Sequence, residues 1–258
     1  LTVIEELDLW LANHPAPDWI TFAGSGEPLL HRSLGSLVRL IRERHPDMRL
    51  ALLTNGLLLS DPEARRDACL FDLVLPSLDA ALQESFATIN RPLPGTLVSG
   101  YIEGLEKFRN EFSGSIWLEI FIVPGINDAP EDITALKNAL ARIRPERIQL
   151  NSLDRPGTVP GLEAATRTRL LELAAALERP NVEIISRANL SDAGTDVPEP
   201  EAEKRILVTV LRRPSTADDL ALSSGLKPEQ LELLLHDMLV RGQLVNRVID
   251  GNLFYCRP

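Results

Sequence analysis

Between Asp18 and about Ser186, short apolar runs alternate with amphipathic stretches. Such alternation marks β/α units built around a mainly parallel sheet. The runs predict strands over 19–23, 50–54, 73–77, 116–123 and 147–151, with a weaker sixth over 182–186. Helical stripes lie between them. One consists of Leu37, Val38, Leu40 and Ile41, behind a cap at Ser33. Others are Ile102, Leu105, Phe108 and Phe112, then Ile133, Leu136, Leu140 and Ile143, the latter opened by Asp128 and Pro130. A last one runs Leu170, Leu171, Ala174 and Leu177. The strands are apolar on both faces, as expected when helices cover one side and a filled barrel or second helical layer covers the other. Five strong strands fit an α/β partial barrel better than a closed eightfold one.

The pattern changes after residue 186. Residues 187–202 are polar, acidic and proline-bearing, with Asp192, Asp196, Pro198, Glu199, Pro200 and Glu201, which is the composition of a linker. From 203 to 258 the order becomes helix, helix, helix, hairpin. The first helix covers 203–211 and stops before Pro214, and Ser215 or Thr216 caps a short second one through Ala221. Pro228 opens a third that runs to Arg241, with Leu231, Leu234, Leu235 and Met238 as its stripe. Strands over 244–249 and 252–255 flank Asp250-Gly251, a two-residue hairpin signal. Three helices and a hairpin predict a small C-terminal winged helix-turn-helix. The expected organisation is a barrel over 1–186, a linker over 187–202 and the winged-helix-like domain over 203–258.

Composition narrows the picture. The 258 residues can bury one large core, or a main domain and a small appendage. No apolar run approaches the roughly 18–20 residues that span a bilayer. Leu1–Trp10, with Glu5, Glu6 and Asp8 and no basic residue, does not read as a signal peptide. The cytoplasm is the expected compartment, and no membrane partner is expected. The chain enters at once into a helical pattern of Ile4, Leu7, Leu9 and Leu11 with no strand before it, which predicts natural sequence upstream of Leu1. A net charge of −10 argues against a general phosphate-backbone binder. Residues 201–258 hold eight basic and eight acidic side chains, so the excess lies before them. Cys69 and Cys256 stand far apart and offer neither a disulfide framework nor a metal-binding cluster. Each reads as a small buried or half-buried apolar residue. His14, His31, His45 and His236 share no spacing that would hold a metal.

The informative feature is where polar residues interrupt the apolar strands. The first strand runs into Gly24-Ser25-Gly26-Glu27-Pro28, the second ends in Thr54-Asn55-Gly56, and the third in Ser77-Leu78-Asp79. The fourth contains Glu119, and the fifth ends in Asn151-Ser152. The carboxyl ends of parallel strands form one rim, where ligands bind in α/β folds. Gly24 and Gly26 let the backbone turn tightly and approach a ligand, although ordinary strand-to-helix turns use Gly and Pro as well. Glu27 offers a counter-charge to an ammonium, so the rim reads as a binder of something zwitterionic. In 116–123, period-2 alternation puts Trp117, Glu119 and Phe121 on one face and Leu118, Ile120 and Ile122 on the other. The aliphatic face packs on helices, which turns Glu119 to the interior or the rim. A structural ion pair with a core arginine is the competing role for that carboxylate.

At these residues the chain resembles the radical S-adenosylmethionine (radical SAM) superfamily. The match runs through Ile20–Leu29, Leu52–Gly56, Asp72–Ala80, Ile89–Pro92, Val123–Asp128 and Gln149–Gly157, in the order and spacing of the family's partial (β/α)6 TIM-like barrel from its second strand onward. The resemblance implies that Gly26, Glu27 and Pro28, with Gly24 beside them, bind the amino group of the methionine portion of SAM. It implies that Ser77 and Asp79 lie near the methionine carboxylate or the ribose. Thr54, Asn55, Glu119 and Asn151 would line the same pocket. The implied reaction is reductive cleavage of SAM at a [4Fe–4S] cluster, fed by an external electron donor, to give a 5′-deoxyadenosyl radical. Its substrate is left open, with a protein among the candidates. The family's Cys-x3-Cys-x2-Cys loop is missing, so its cluster ligands are expected within about 70 residues upstream of Leu1, and the polypeptide as it stands is not expected to be catalytically competent. The chain is most similar to the Fe–S oxidoreductases related to glycyl-radical activating enzymes and wybutosine-type tRNA modification enzymes. A nucleic-acid-directed role, in tRNA modification or as a DNA-binding regulator, is the alternative. The acidic third helix of the tail, with Glu229, Glu232 and Asp237, speaks against DNA. A plain hydrolase or aldolase barrel has no Gly-x-Ser-x-Gly, mid-strand lysine or histidine cluster to support it.

Overall fold

The computed structural model describes residues 2–24, 26–153, 162–185, 199–212, 214–249 and 252–258. Six strands form one parallel sheet in chain order. They are β1 (Ile20–Phe22), β2 (Leu50–Thr54), β3 (Leu73–Pro76), β4 (Ser115–Ile122), β5 (Arg147–Ser152) and β6 (Val182–Ile184). Helix α1 (Val3–Asn13) precedes the sheet, and α2 (Leu34–Arg44), α3 (Pro62–Ala68), α4 (Gln83–Asn90), α5 (Val98–Glu111), α6 (Pro130–Ile143) and α7 (Arg167–Ala176) connect the strands. Sequential parallel pairing with helical crossovers is the α/β partial TIM-like barrel that the alternation predicts.

Burial explains why these segments are strands. Leu50 and Leu52 of β2, Val74 of β3 and Ile116, Leu118 and Ile120 of β4 are fully buried, each removing an aliphatic side chain from water for about 1.5–3 kcal/mol. Along β4 burial alternates strictly, with Trp117, Glu119 and Phe121 half-buried between those aliphatic positions. Helix α5 lies very close to a 3₁₀ turn at Leu57–Ser60, because Gly104 has no Cβ to hold it off. The described residues up to Ile184 form one compact unit, and those from Ile185 onward form another.

Several expectations need correction. Helices α3 and α4 were not foreseen: α3 is seven residues of mostly charged sequence, and α4 buries only Ser85 and Phe86, so neither shows a stripe. In α7 the buried face is Leu170 and Leu173, followed by Leu177, while Leu171 points to solvent. Leu9 of α1 is likewise exposed. Ser33 occupies the N-cap of α2 without a side-chain cap bond.

The second unit contains α8 (Glu199–Arg212), α9 (Ala217–Ser224), α10 (Pro228–Val240) and the antiparallel pair β7 (Val245–Ile249) and β8 (Asn252–Cys256). Helix α8 starts inside the segment expected to be linker, since Pro200 fits the first turn, where no intrahelical N–H bond is needed. The rest of that segment, and Asp250-Gly251, lie outside the described residues. Ile206, Leu220, Leu231, Leu234, Leu235 and Met238 make this unit's own core. Among the described residues, no helix is long and apolar enough to cross a membrane.

Candidate functional site

The first strands run into turns at one end of the sheet, and a side chain following β1 bonds the end of β2. Glu27 is the hub. It caps the 3₁₀ turn Pro28–Leu30 by accepting from the Leu29 N–H (3.0 Å). The same oxygen, Oε1, accepts from the Thr54 hydroxyl (2.6 Å), and Oε2 accepts from the Asn55 N–H (2.7 Å). A carboxylate after β1 therefore ties down the end of β2. Among the described residues its Oε2 has that one donor, which leaves it capacity for another.

A cavity of about 270 Å³ opens here, lined by Gly24, Gly26, Glu27, Pro28, Thr54, Asn55, Ser77 and Glu119, with Ala23 and Leu53 as its apolar members. Of the residues expected to bind the cofactor, the cavity thus brings together all but Asp79 and Asn151. Asp79 lies behind the wall: Oδ1 accepts from the Phe121 N–H (3.0 Å) and Oδ2 from Asn90 Nδ2 (2.9 Å). Asn151 sits on β5 opposite Phe121. A cradle Cβ on Gly26 would meet nothing within 4 Å, so the glycine leaves open room at the cavity wall.

The electrostatics have one sign. Among the described residues the lining contains two carboxylates, Glu27 and Glu119, and no lysine or arginine. Among the described residues Glu119 has no ion pair. Burial, and then the negative charge of Asp79, push its carboxyl above the usual range. Burial also raises Asp79, against the opposing bonds from Phe121 and Asn90. Such a site suits a ligand that brings positive charge and N–H donors.

Two residues outside the strand-end pattern complete the rim. Buried Tyr101, on α5, sets its hydroxyl against the carbonyl oxygens of Asn55 (2.9 Å) and Ser77, joining the ends of β2 and β3. Its hydroxyl is held well above its usual pKa by burial, then by Asp79 and Glu27, so it is a permanent donor. Asn127 is fully buried; it donates to the carbonyls of Asp79 (2.7 Å) and Phe121 (2.8 Å) and accepts from the Val123 N–H (2.8 Å). A buried tyrosine needs a hydrogen-bond partner, and a lone Asn after a buried strand signals a similar need. A larger cavity of about 590 Å³ lies between α6 and α7, but its charges pair internally, Arg169 with Asp128 (3.0 Å) and Lys137 with Glu178.

Cys69 and Cys256, in different units, are both free. Among the described residues no cluster of histidine, cysteine and acidic side chains could hold a metal ion.

The sequence profile of the Radical SAM superfamily matches residues 3–136. Over 98% of its length the chain is 32% identical to a protein of Brachyspira hyodysenteriae named GTPase Obg, of which it spans 37%. It is 26% identical over 99% of its length to a UPF0026 protein of Helicobacter pylori, spanning 80% of that protein. In fold it is similar to a domain of pyruvate-formate lyase-activating enzyme from Bacteroides vulgatus, with a TM-score of 0.51 and 17% identity, covering 65% of this chain and 98% of the other.

Proposed function

The chain belongs to the radical SAM superfamily, and from that premise we propose that its strand-end cavity binds S-adenosylmethionine. That molecule carries an ammonium, a sulfonium and a carboxylate, and so brings net positive charge to a lining that has only carboxylates. Glu27 would take the ammonium on its open Oε2. Thr54 and the Asn55 amide hold that carboxylate in place, so it needs no reorganisation on binding. The backbone around Gly24 and Gly26 and the Ser77 hydroxyl would receive the carboxylate, and Glu119 adds the second negative charge. When bound, the cofactor supplies reductive cleavage of a carbon–sulfur bond and, through it, hydrogen abstraction from a substrate. The protein's part is to bind, orient and shield.

An iron–sulfur cluster is held by several thiolates. Two cysteines in separate units do not fit that group, and burial, with Glu111 adding to it, pushes the Cys69 thiol up, away from the thiolate form. We place the cluster's ligands outside these 258 residues and assign it no step. From the resemblance to Fe–S oxidoreductases we propose a redox reaction fed by an external electron donor.

The observation that carries the proposal is the Glu27 hub, a pre-held carboxylate at a cavity with no basic residue among the described ones. Calorimetric titration of the chain with S-adenosylmethionine tests it. Glu27→Gln keeps one acceptor oxygen, enough for Thr54 and Leu29 but not also for Asn55, and loses the charge, and should weaken binding roughly 10–150-fold. An unchanged melting curve would show that the fold is intact. Absence of binding to the parent chain, or equal binding by both, would remove the cofactor from this cavity.

A further inference from the structure

Beyond the cavity, the inner wall of the half-barrel carries a second group of unsatisfied polar side chains. Strands β4 and β5 pair in register, with Trp117 opposite Arg147, Glu119 opposite Gln149 and Phe121 opposite Asn151. In-register neighbours project from the same face of a parallel sheet. These six are half-buried or exposed, whereas Leu118, Ile120, Ile148 and Leu150 between them are buried on the other face.

The lower part of this wall is internally paired. The Arg147 guanidinium lies 4.4 Å from the centre of the Trp117 ring and donates to Glu183 (3.1 Å). The upper part is not. Among the described residues, the side chains of Glu119, Gln149 and Asn151 have no hydrogen-bond partner, and Asn151 Oδ1 is wholly buried without one. Neighbouring polar groups behave differently: Asp79 engages both oxygens and Asn127 all its bonding groups. A buried acceptor left unbonded costs about 1–3 kcal/mol. Asn151 Oδ1 is one such acceptor, and beside it the half-buried side chains of Glu119 and Gln149 also lack a partner among the described residues, a feature that a ligand would relieve. Gln149 and Asn151 stand outside the cavity assigned to the cofactor, and Glu119 lies between the two places.

We propose that Glu119, Gln149 and Asn151 form a substrate subsite for an alkylammonium group, with Trp117 and Phe121 flanking its hydrocarbon stem. This rests on the cofactor reading only in treating the neighbouring group as substrate. The chemistry is matched in number and kind. An ammonium presents three N–H donors and no acceptor, and the wall offers a carboxylate and two amide oxygens. The carboxyl of Glu119, raised by burial and by Asp79, gains a counter-ion that offsets its repelling neighbour. A primary amine on a side chain or a small molecule would present this group.

The test uses the full chain, with n-butylammonium as the probe and n-butanol as its neutral counterpart. The Asn151 and Gln149 side-chain amides and the Trp117 indole are followed by NMR. Saturable shifts with the ammonium and none with the alcohol are expected. Asn151→Leu and Glu119→Gln should each weaken the ammonium response roughly tenfold or more, with melting curves and backbone spectra showing that both fold. Asn151→Asp, which keeps the shape and adds charge, should strengthen it. S-adenosylmethionine titrated into the same samples separates the two readings. A chain that binds the cofactor but gives no ammonium response, or equal responses to amine and alcohol, overturns the subsite and leaves the cofactor site standing. A response to the ammonium without cofactor binding supports the amine site and sinks the cofactor assignment. If Asn151→Leu weakens the cofactor as much as the amine, Asn151 belongs to the cofactor cavity and the subsite is overturned.

Discussion

Asp79 and Glu119 are near neighbours with opposite arrangements. Asp79 gives both oxygens to protein donors, and Glu119, among the described residues, gives neither. Both carboxyls are raised, with burial the first cause in each. An acid whose folded pKa lies above its unfolded one favours the folded state below the ordinary carboxylate range, and that stability is lost as the pH rises through the raised value. Glu119→Gln should therefore stabilise the chain at pH 7.5 relative to the parent, and the gain should vanish below about pH 4, where both forms are neutral. Urea melts at the two pH values measure this. A gain of the same size at both would mean that charge at position 119 is not what costs stability. The strand pattern placed Glu119 on the inner face correctly. It could not tell that Asp79 bonds inward, because the donors, Phe121 and Asn90, reach it only through the fold.

Among the elements, α5 does most to shape the rim. It carries Tyr101, and three residues later Gly104 lets it approach the turn at Leu57–Ser60. A Cβ at position 104 would lie 2.7 Å from the Ser60 nitrogen and 2.9 Å from the Leu59 carbonyl carbon, both rigid backbone atoms. Gly104→Ala should therefore cost about 1–3 kcal/mol through displacement of the helix, despite alanine's better helix propensity. Gly100→Ala, on the same helix with nothing within 4 Å, should instead stabilise by about 0.4–1 kcal/mol. Denaturant midpoints of the two variants should move in opposite directions. Equal shifts would show that the close approach is not tight in solution. The apolar stripe of α5 was legible because it follows a 3.6-residue period; α3 and α4 were not, because short helices with little buried surface leave no periodic trace.

For the molecule as a whole, charge decides which partners are plausible. The net charge of −10 lies outside residues 201–258, whose basic and acidic side chains balance. In α10, exposed Glu229, Glu232 and Asp237 outnumber Arg241 at its end, and Arg241 is paired with Glu203 and Asp237. Non-specific DNA affinity comes from phosphate neutralisation, with a salt slope of about −0.9 per phosphate contacted. We expect the full chain not to retard duplex DNA even at low salt. Tight binding that weakens steeply as salt is raised would overturn that expectation and bring forward the nucleic-acid-directed role. The order of three helices and a hairpin leaves the second unit's partner open, since a shared element order does not transfer a function.

The linear pattern of apolar runs was enough to determine the parallel α/β sheet and the rim at its strand ends, because both follow from periodicity and from which residues interrupt it. It likewise brought Gly24, Gly26, Glu27, Pro28, Thr54, Asn55, Ser77 and Glu119 to one cavity. Only the tertiary structure decided how those groups are satisfied. Glu27 bonds residues 27 and 28 positions away, and Asn127 reaches back 48 to Asp79. Whether a buried polar atom finds a partner depends on distances that sequence separation does not encode. That is why Tyr101 and Asn127 emerged as rim supports, and why the unpartnered wall of Glu119, Gln149 and Asn151 became visible only in the folded chain.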